Sequence, residues 1–463
     1  MRAWRPPPHT RIALCAAVAM VFYGCAGPRI KTADIPPVQP AAGWRIDAGA
    51  TAPVDSQWWT GFNDPTLTAL IDQALARNSD VAIAAGRVRE ARANVELARS
   101  QLLPTLDFSG GRARLRSVSA FGTPVLQTSS QPQIQAAYEI DLFGRLADTS
   151  SAARSAYFAS AAAHDTIRLA VVSAAASQYI TLLGLDARLA IARQTVTARA
   201  DSLRLATSRD RAGYSPKLEL RQAEAAYDDA TQIVVQLESA SARAENSLSQ
   251  LAGNVPGAIT RAATLDALTT PPIPDGLPSQ LLERRPDIAQ AASQLAATDA
   301  SLAAARKRFL PQVRLTGTAG RAFSSLLEDP ITVWSIGGSV LAPLFEGGRL
   351  MAQAEVAASQ RDQAASIYQK TVLASFREVE DALASVKQAD AQLAIARHEV
   401  GILVETLRLA TDRYREGYSS YLEQLDAQRG LLSAQLAVAS LESEALTARV
   451  QLYQAMGGGW SPT

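Results

Sequence analysis

The chain has 463 residues, 48% hydrophobic and 19% charged, with only 6% aromatic. That apolar content excludes disorder over most of the length, and the wealth of Ala, Leu, Gln, Ser and Arg favours long helices packed through small side chains. The net charge of +1 gives no electrostatic reason to expect nucleic acid as a partner.

The first 24 residues form a secretory signal: Arg2, Arg5 and Arg11 supply the positive end, and Ile12 to Tyr23 the apolar stretch, too short to span a bilayer. The only cysteines are Cys15 and Cys25, so the body holds no disulfide framework or cysteine metal site. Cys25 follows Gly24 as in a lipoprotein processing site, where acyl chains tether the new N-terminus; ordinary cleavage after Ala17-Val18-Ala19 is the alternative. No later run of 18 uninterrupted apolar residues exists, so any membrane crossing falls to β-strands.

The rest is one unit written twice. At an offset of 204, residues 203–219 (LRLATSRDRAGYSPKLE) and 407–423 (LRLATDRYREGYSSYLE) agree at 12 of 17 positions. Asp80-Val81-Ala82 and Asp287-Ile288-Ala289, Leu103-Pro104 and Leu310-Pro311, and Leu142-Phe143 and Leu344-Phe345 repeat in the same order. Such a period is far longer than that of solenoid repeats.

In chain order, residues 25–62 form a Pro-rich extended arm, and a helix over 80–101 (286–308 in the second half) stops at Leu-Pro. Strand pairs follow within 103–143 and 309–346. Ile134, Ala136, Tyr138 and Ile140 alternate with polar neighbours, as do Val313 and Leu315, and Trp334, Ile336 and Val340. Leu106 and Phe108 share a parity with Arg112, Arg114 and Arg116; a bulge at Gly110-Gly111 would carry these arginines to the polar face. Proline-free helices over 144–211 and 347–416 come next, each on the order of 100 Å long. Gly213 and Gly417 end them in left-handed C′ positions, and helices over 216–251 and 420–456 return. The predicted organisation assigns 63–102, 144–252, 286–308 and 347–456 to a helical body. Residues 253–285 and 457–463 form a Pro/Gly/Thr-rich connector and the C-terminus.

Four amphipathic strands cannot close a membrane barrel, and open edges in lipid are not tolerated, so several copies must combine. Two copies give eight strands with a filled bore; three give twelve with a channel.

The segments Ala137-Tyr138-Glu139-Ile140-Asp141-Leu142-Phe143-Gly144-Arg145, Glu283-Arg284-Arg285-Pro286-Asp287-Ile288 and Gly457-Gly458-Gly459-Trp460 resemble the outer-membrane factors of Gram-negative tripartite efflux systems, the TolC-like, NodT-type lipoproteins. Trp58-Trp59, Phe62-Asn63-Asp64-Pro65 and Leu67 extend the likeness over nearly the whole mature chain. The resemblance implies a mainly α fold with a membrane β-barrel: a homotrimer with a twelve-stranded barrel and a long α-helical periplasmic barrel. It implies a passive exit channel, with no enzymatic activity and no cofactor or metal, docked on a periplasmic adaptor and an inner-membrane pump of RND type. A conduit for secreted polypeptide and a structural coiled-coil lipoprotein are the competing readings.

The same resemblance places a periplasmic gate at Leu422, Glu423 and Asp426, with Glu219 as the counterpart of Glu423 in the first repeat and Tyr414 in the closed state; Ser419 departs from the family's latch residue. Glu423 and Asp426, three apart, share a helix face, and threefold symmetry would make acidic rings that favour cations. Adaptor docking falls on the tips: Arg211, Gly213, Tyr214 and Ser215, and Arg415, Gly417, Tyr418 and Ser419. His164 and His398 have no ligand-spaced partners and read as surface or tunnel-wall residues.

Overall fold

The computed structural model describes residues 30–36, 38–46, 55–214, 217–274 and 276–460. The signal segment, Cys15, Cys25 and Ser215 lie outside the described residues. The helices are α1 (Pro65–Arg77), α2 (Ser79–Ser100), α3 (Arg145–Arg211), α4 (Lys217–Leu251), α5 (Pro278–Arg284), α6 (Pro286–Lys307), α7 (Arg349–Arg415) and α8 (Tyr421–Ala455). The strands are β1 (Thr105–Ser109), β2 (Arg112–Val118), β3 (Pro124–Ser130), β4 (Gln133–Ile140), β5 (Gln312–Ser324) and β6 (Ile331–Leu341). The long helices α3 and α7 have the same length, 67 residues, as do the returning helices α4 and α8, 35 residues. The chain divides into two compact units, and α3 and α7 contribute to both.

The first unit holds the sheet and the helix segments that join it (87–161 and 290–369). Every pairing is antiparallel: β1 with β4, β2 with β3, β3 with β5, β4 with β5, and β5 with β6. The register aligns Leu106, Ala136, Gly317 and Ile336 across the sheet, and likewise Phe108, Ile134, Ala319 and Trp334. These rows, with Val313, Leu315 and Val340, make one apolar face, and Phe108, Trp334 and Ile336 are all highly exposed. The opposite face carries Gln133, Gln135, Glu139, Thr316, Thr318 and Ser335, with Thr318 and Ser335 hydroxyls 2.8 Å apart. Among the described residues nothing pairs the outer edges of β1, β2 and β6.

The register overturns the expected bulge. β1 and β4 pair Ser109 with Gln133, and β2 and β3 pair Arg112 with Ser130. Two residues, Gly110-Gly111, therefore face two, Gln131-Pro132, and none is left over. The ladder lapses on both strands at once because Pro132 has no N–H to donate. Arg112, Arg114 and Arg116 thus keep the parity of Leu106 and Phe108. The Pro132 carbonyl still accepts from Arg321 N–H at 3.1 Å. This close approach needs a glycine at 320, where an added Cβ would fall on the Pro132 carbonyl and the Gln133 backbone.

Below the sheet, Leu302 and Ala305 of α6 pack on Ala354, Ala357 and Ala358 of α7, small side chains that let the helices approach closely. Lys307 pairs with Asp148 at 2.6 Å, and Arg361 with Asp299 at 3.0 Å. The arm lies along α7: Ala33 N–H donates to Asp362 at 2.9 Å, and Arg361 donates to the Ala33 carbonyl at 3.2 Å.

The second unit holds the larger core. Trp58, Trp59 and Phe62, from a short 3-10 helix, pack with Leu67 and Ile71 of α1 against Val172, Tyr179, Ile180 and Leu183 of α3. One 18-residue stretch of α3 is apolar enough for a bilayer (mean hydropathy 1.4), yet 56% of it is buried in the fold. Asp64 caps α1, accepting from the N–H groups of Thr66 and Leu67 at 2.7 and 3.2 Å, and its other oxygen accepts the Tyr179 hydroxyl at 2.8 Å. Burial and the Asp64 carboxylate both push the Tyr179 hydroxyl above its ordinary range, so it stays a donor.

Arg285 explains the Glu-Arg-Arg-Pro-Asp motif. It is buried, donates to the Ala455 carbonyl at 3.0 Å, and pairs with Asp287 at 2.6 Å and Glu378 at 2.7 Å. Burial alone would lower its pKa; the two carboxylates outweigh that and raise it. Arg261 ties the connector to Asp186 (2.8 Å) and Glu245 (2.5 Å) in the same way. Trp460, after the three glycines, donates to Asp165 at 2.9 Å; His164 contacts the other oxygen of that carboxylate at 3.2 Å.

Gly320→Val should overpack the sheet by about 1–3 kcal/mol and lower the folded, membrane-extracted fraction, read as the heat-modifiable band on gels. Gly317→Ala, where the nearest atom to an added Cβ is the Ser335 carbonyl at 3.8 Å, should leave that band unchanged. Asp64→Ala removes a cap and strands the buried Tyr179 hydroxyl. It should cost about 2–4 kcal/mol, read by faster amide exchange in α1, whereas adding Tyr179→Phe should recover part of the loss.

Candidate functional site

The tips of the two helical hairpins gather the residues singled out in the sequence. α3 and α7 end alike. Gly213 and Gly417 adopt φ of 74° and 80°. Tyr214 N–H bonds back to the Arg209 carbonyl at 2.9 Å, and Tyr418 N–H to that of Arg413 at 2.8 Å. This 6→1 bond, closed across a left-handed glycine, reverses the chain and throws the next side chain outward. Tyr214 is 86% exposed and Tyr418 79%, and Arg211 and Arg415 are exposed beside them. Ser419 is half-buried.

Between the tips lies a cleft of about 620 Å³ lined by Tyr214, Leu218, Glu219, Tyr414 and Leu422. Tyr414 donates its hydroxyl to Glu219, joining α7 to α4. Arg209 of α3 stands 4.0 Å from the same Glu219 oxygen, with its guanidinium 4.7 Å above the Tyr414 ring. This combination of charge-assisted bond and cation–π contact favours a single geometry. Burial first, then the bond to Glu219, pushes the Tyr414 hydroxyl up to about 12, so it remains a donor through the physiological range.

Beneath it, the Tyr421 ring lies 5.7 Å from that of Tyr414, in a pocket of Ala206, Ala223, Ala226 and Leu425. Arg199, 3% exposed, donates to Gln428. Burial lowers its pKa, and the facing Tyr421 hydroxyl partly restores it.

The structure therefore brings together Glu219 and Tyr414, with Leu422 lining the same cleft, and leaves Glu423 and Asp426 apart. Glu423 and Asp426 are exposed on α8, and Leu422 is 55% exposed. Glu423 pairs with Arg413 at 3.1 Å, and Asp426 has no ion-pair partner among the described residues. Neither hydrogen-bonds Glu219 or Tyr414.

Sequence reasoning missed Arg209, Arg199 and Tyr421, although the duplication carried a signal for the first. Arg209 and Glu219 stand at offset 204 from Arg413 and Glu423, so both hairpins hold the same internal Arg–Glu pair. Tyr414 and Tyr421 replace Asp210 and Lys217 of the first repeat. The bond between hairpins exists because the copies diverged there.

A family profile described as "Outer membrane efflux protein" matches residues 70–254 and 277–458. The solvent efflux pump outer membrane protein SrpC of Pseudomonas putida is 34% identical over 439 residues, covering 89% of this chain and 93% of that one. The outer-membrane channel OprN shares the fold at a TM-score of 0.84 and 28% identity, over 95% of this chain and 100% of that one. The open state of the MtrE outer membrane channel of Neisseria gonorrhoeae matches at 0.82 and 29%, over 94% and 98%. A duplicated chain of long helical hairpins and an amphipathic sheet, similar from end to end to such channels, belongs to the outer membrane efflux protein family, whose members are channels of tripartite efflux systems and not enzymes.

Proposed function

We propose that three copies of this chain close a twelve-stranded barrel in the outer membrane, and that their helices form a periplasmic conduit for small molecules: drugs, toxic compounds or metal ions. The observation that carries this reading is the sheet. Among the described residues it is four strands wide, apolar on one face and polar on the other, with one unpaired edge along β1 and β2 and the other along β6. Lipid tolerates no open edge, and twelve strands leave a bore that eight do not. SrpC is named for a solvent efflux pump, which supports small toxic molecules as cargo.

In this reading the conduit takes cargo from a periplasmic adaptor and an inner-membrane pump of proton-driven RND type. The exposed Tyr214 and Tyr418, with Arg211, Gly213, Ser215, Arg415, Gly417 and Ser419, form the docking tips. Acylation at Cys25 anchors each arm to the membrane. The bond from Tyr414 to Glu219, braced by Arg209, holds the entrance shut. Glu423 and Asp426, exposed beside Leu422, line it with negative charge.

Single-channel recording in planar bilayers tests both roles. Tyr414→Phe/Glu219→Gln removes a charge-assisted bond of about 1.5–3 kcal/mol, so open probability should rise about tenfold or more. Glu423→Ala/Asp426→Ala should instead weaken cation preference. Equal behaviour of both variants and the native chain would remove the gate, and a particle mass other than that of three chains would remove the trimer.

A further inference from the structure

The matched break in the sheet has a chemical consequence. Distal to it, the apolar face continues as Arg112, Arg114 and Arg116 on β2, aligned with Ser130, Thr128 and Leu126. Ser130 in turn aligns with Phe323 of β5. Arg321 lies two residues beyond Ala319, aligned with Thr332, on the face of Trp334 and Ile336. Four arginines therefore stand on the side that carries Leu106, Phe108, Ile134 and Trp334, immediately past the last of those residues. All four are exposed, and none pairs with a carboxylate among the described residues. Within the sheet, Asp107 and Glu139 point to the opposite face, by parity.

The position along the strands is equally specific. The helices join the sheet at one end, through 141–145, 307–312 and 341–349, and the turns at 119–123 and 325–330 occupy the other. The arginines lie between the apolar rows and those turns. A charged side chain on a lipid-facing surface is costly at mid-bilayer and inexpensive at the interface. Four of them with no internal partner mark the level where the hydrocarbon ends and headgroups begin. Alternate residues of a strand are about 6.7 Å apart, so Arg112, Arg114 and Arg116 present three guanidinium forks in a row, a geometry that suits phosphate better than carboxamide or hydroxyl groups. Phe323 and Leu126, on the same face and partly exposed, offer apolar surface beside them.

We propose that Arg112, Arg114, Arg116 and Arg321 form an outward-facing patch that binds the phosphorylated headgroups of the outer-leaflet lipid and holds that lipid against the barrel. This rests on the barrel reading above, with the hairpin turns outside the cell.

The test uses the full chain in phosphatidylcholine vesicles doped with bis-phosphorylated lipid A, extracted gently and assayed for retained lipid A by native mass spectrometry. The native protein should retain lipid A in preference to phosphatidylcholine, less so at high salt. Arg112→Gln/Arg114→Gln/Arg116→Gln/Arg321→Gln should lose at least about tenfold in retention with unchanged conductance, while the corresponding four Arg→Lys changes should keep most of it. Equal retention by the native and Gln proteins would overturn the proposal. So would a change in ion selectivity without a change in retention, which would put the arginines in the bore. Displacement of lipid A by an equal concentration of inorganic phosphate would reduce the patch to a general anion site. Failure of the native chain to form any conducting oligomer would remove the barrel reading and this proposal with it, an outcome distinct from the others.

Discussion

A peptide N–H or C=O with no partner is ruinous in hydrocarbon, and the architecture of this chain follows from that constraint. Each half supplies one hairpin to a sheet whose apolar face is unbroken from Leu106 to Val340. Neither half, nor both together, can satisfy its outer edges. The duplication doubles the number of strands without curing the defect, and the proposed trimer would supply the remedy from identical chains. The long helices follow the same count: two pairs of helices enter and leave a sheet that cannot stand alone.

Polar groups inside the fold are handled by a second device, the shared carboxylate. Asp64 caps a helix and fixes Tyr179. Asp165 receives Trp460. Glu219 receives Tyr414 and faces Arg209. Arg285 and Arg261 work in reverse, each one cation spanning two acids and joining segments distant in sequence. A carboxylate with two donors is satisfied, and it ties together segments that are distant in sequence.

Much of this was legible in the sequence because its punctuation is local. Pro286, Gly213 and Gly417 act through their own backbone, so helix ends were readable without knowing any neighbour. Strand parity was readable for the same reason. The interruption near Gly110 was not, because a bulge and a matched gap differ only in what the partner strand does. Pro132 was visible, but its alignment opposite Gly110-Gly111 was not. At the tips, Tyr414 entered through family resemblance and Glu219 through the internal repeat, as the counterpart of Glu423. Arg199 and Tyr421 gave no signal, since each matters only through burial between hairpins some 200 residues apart in sequence.

The divergence between the two repeats has a further mechanical consequence. In the proposed trimer, three copies would present six hairpins of two alternating kinds, a ring nearly sixfold in shape yet only threefold in its fastenings. Tyr414 fastens the two hairpins of one copy to each other. In that proposed ring, dilation releases three identical catches, one inside each copy, and a force applied to either hairpin of a copy reaches its catch.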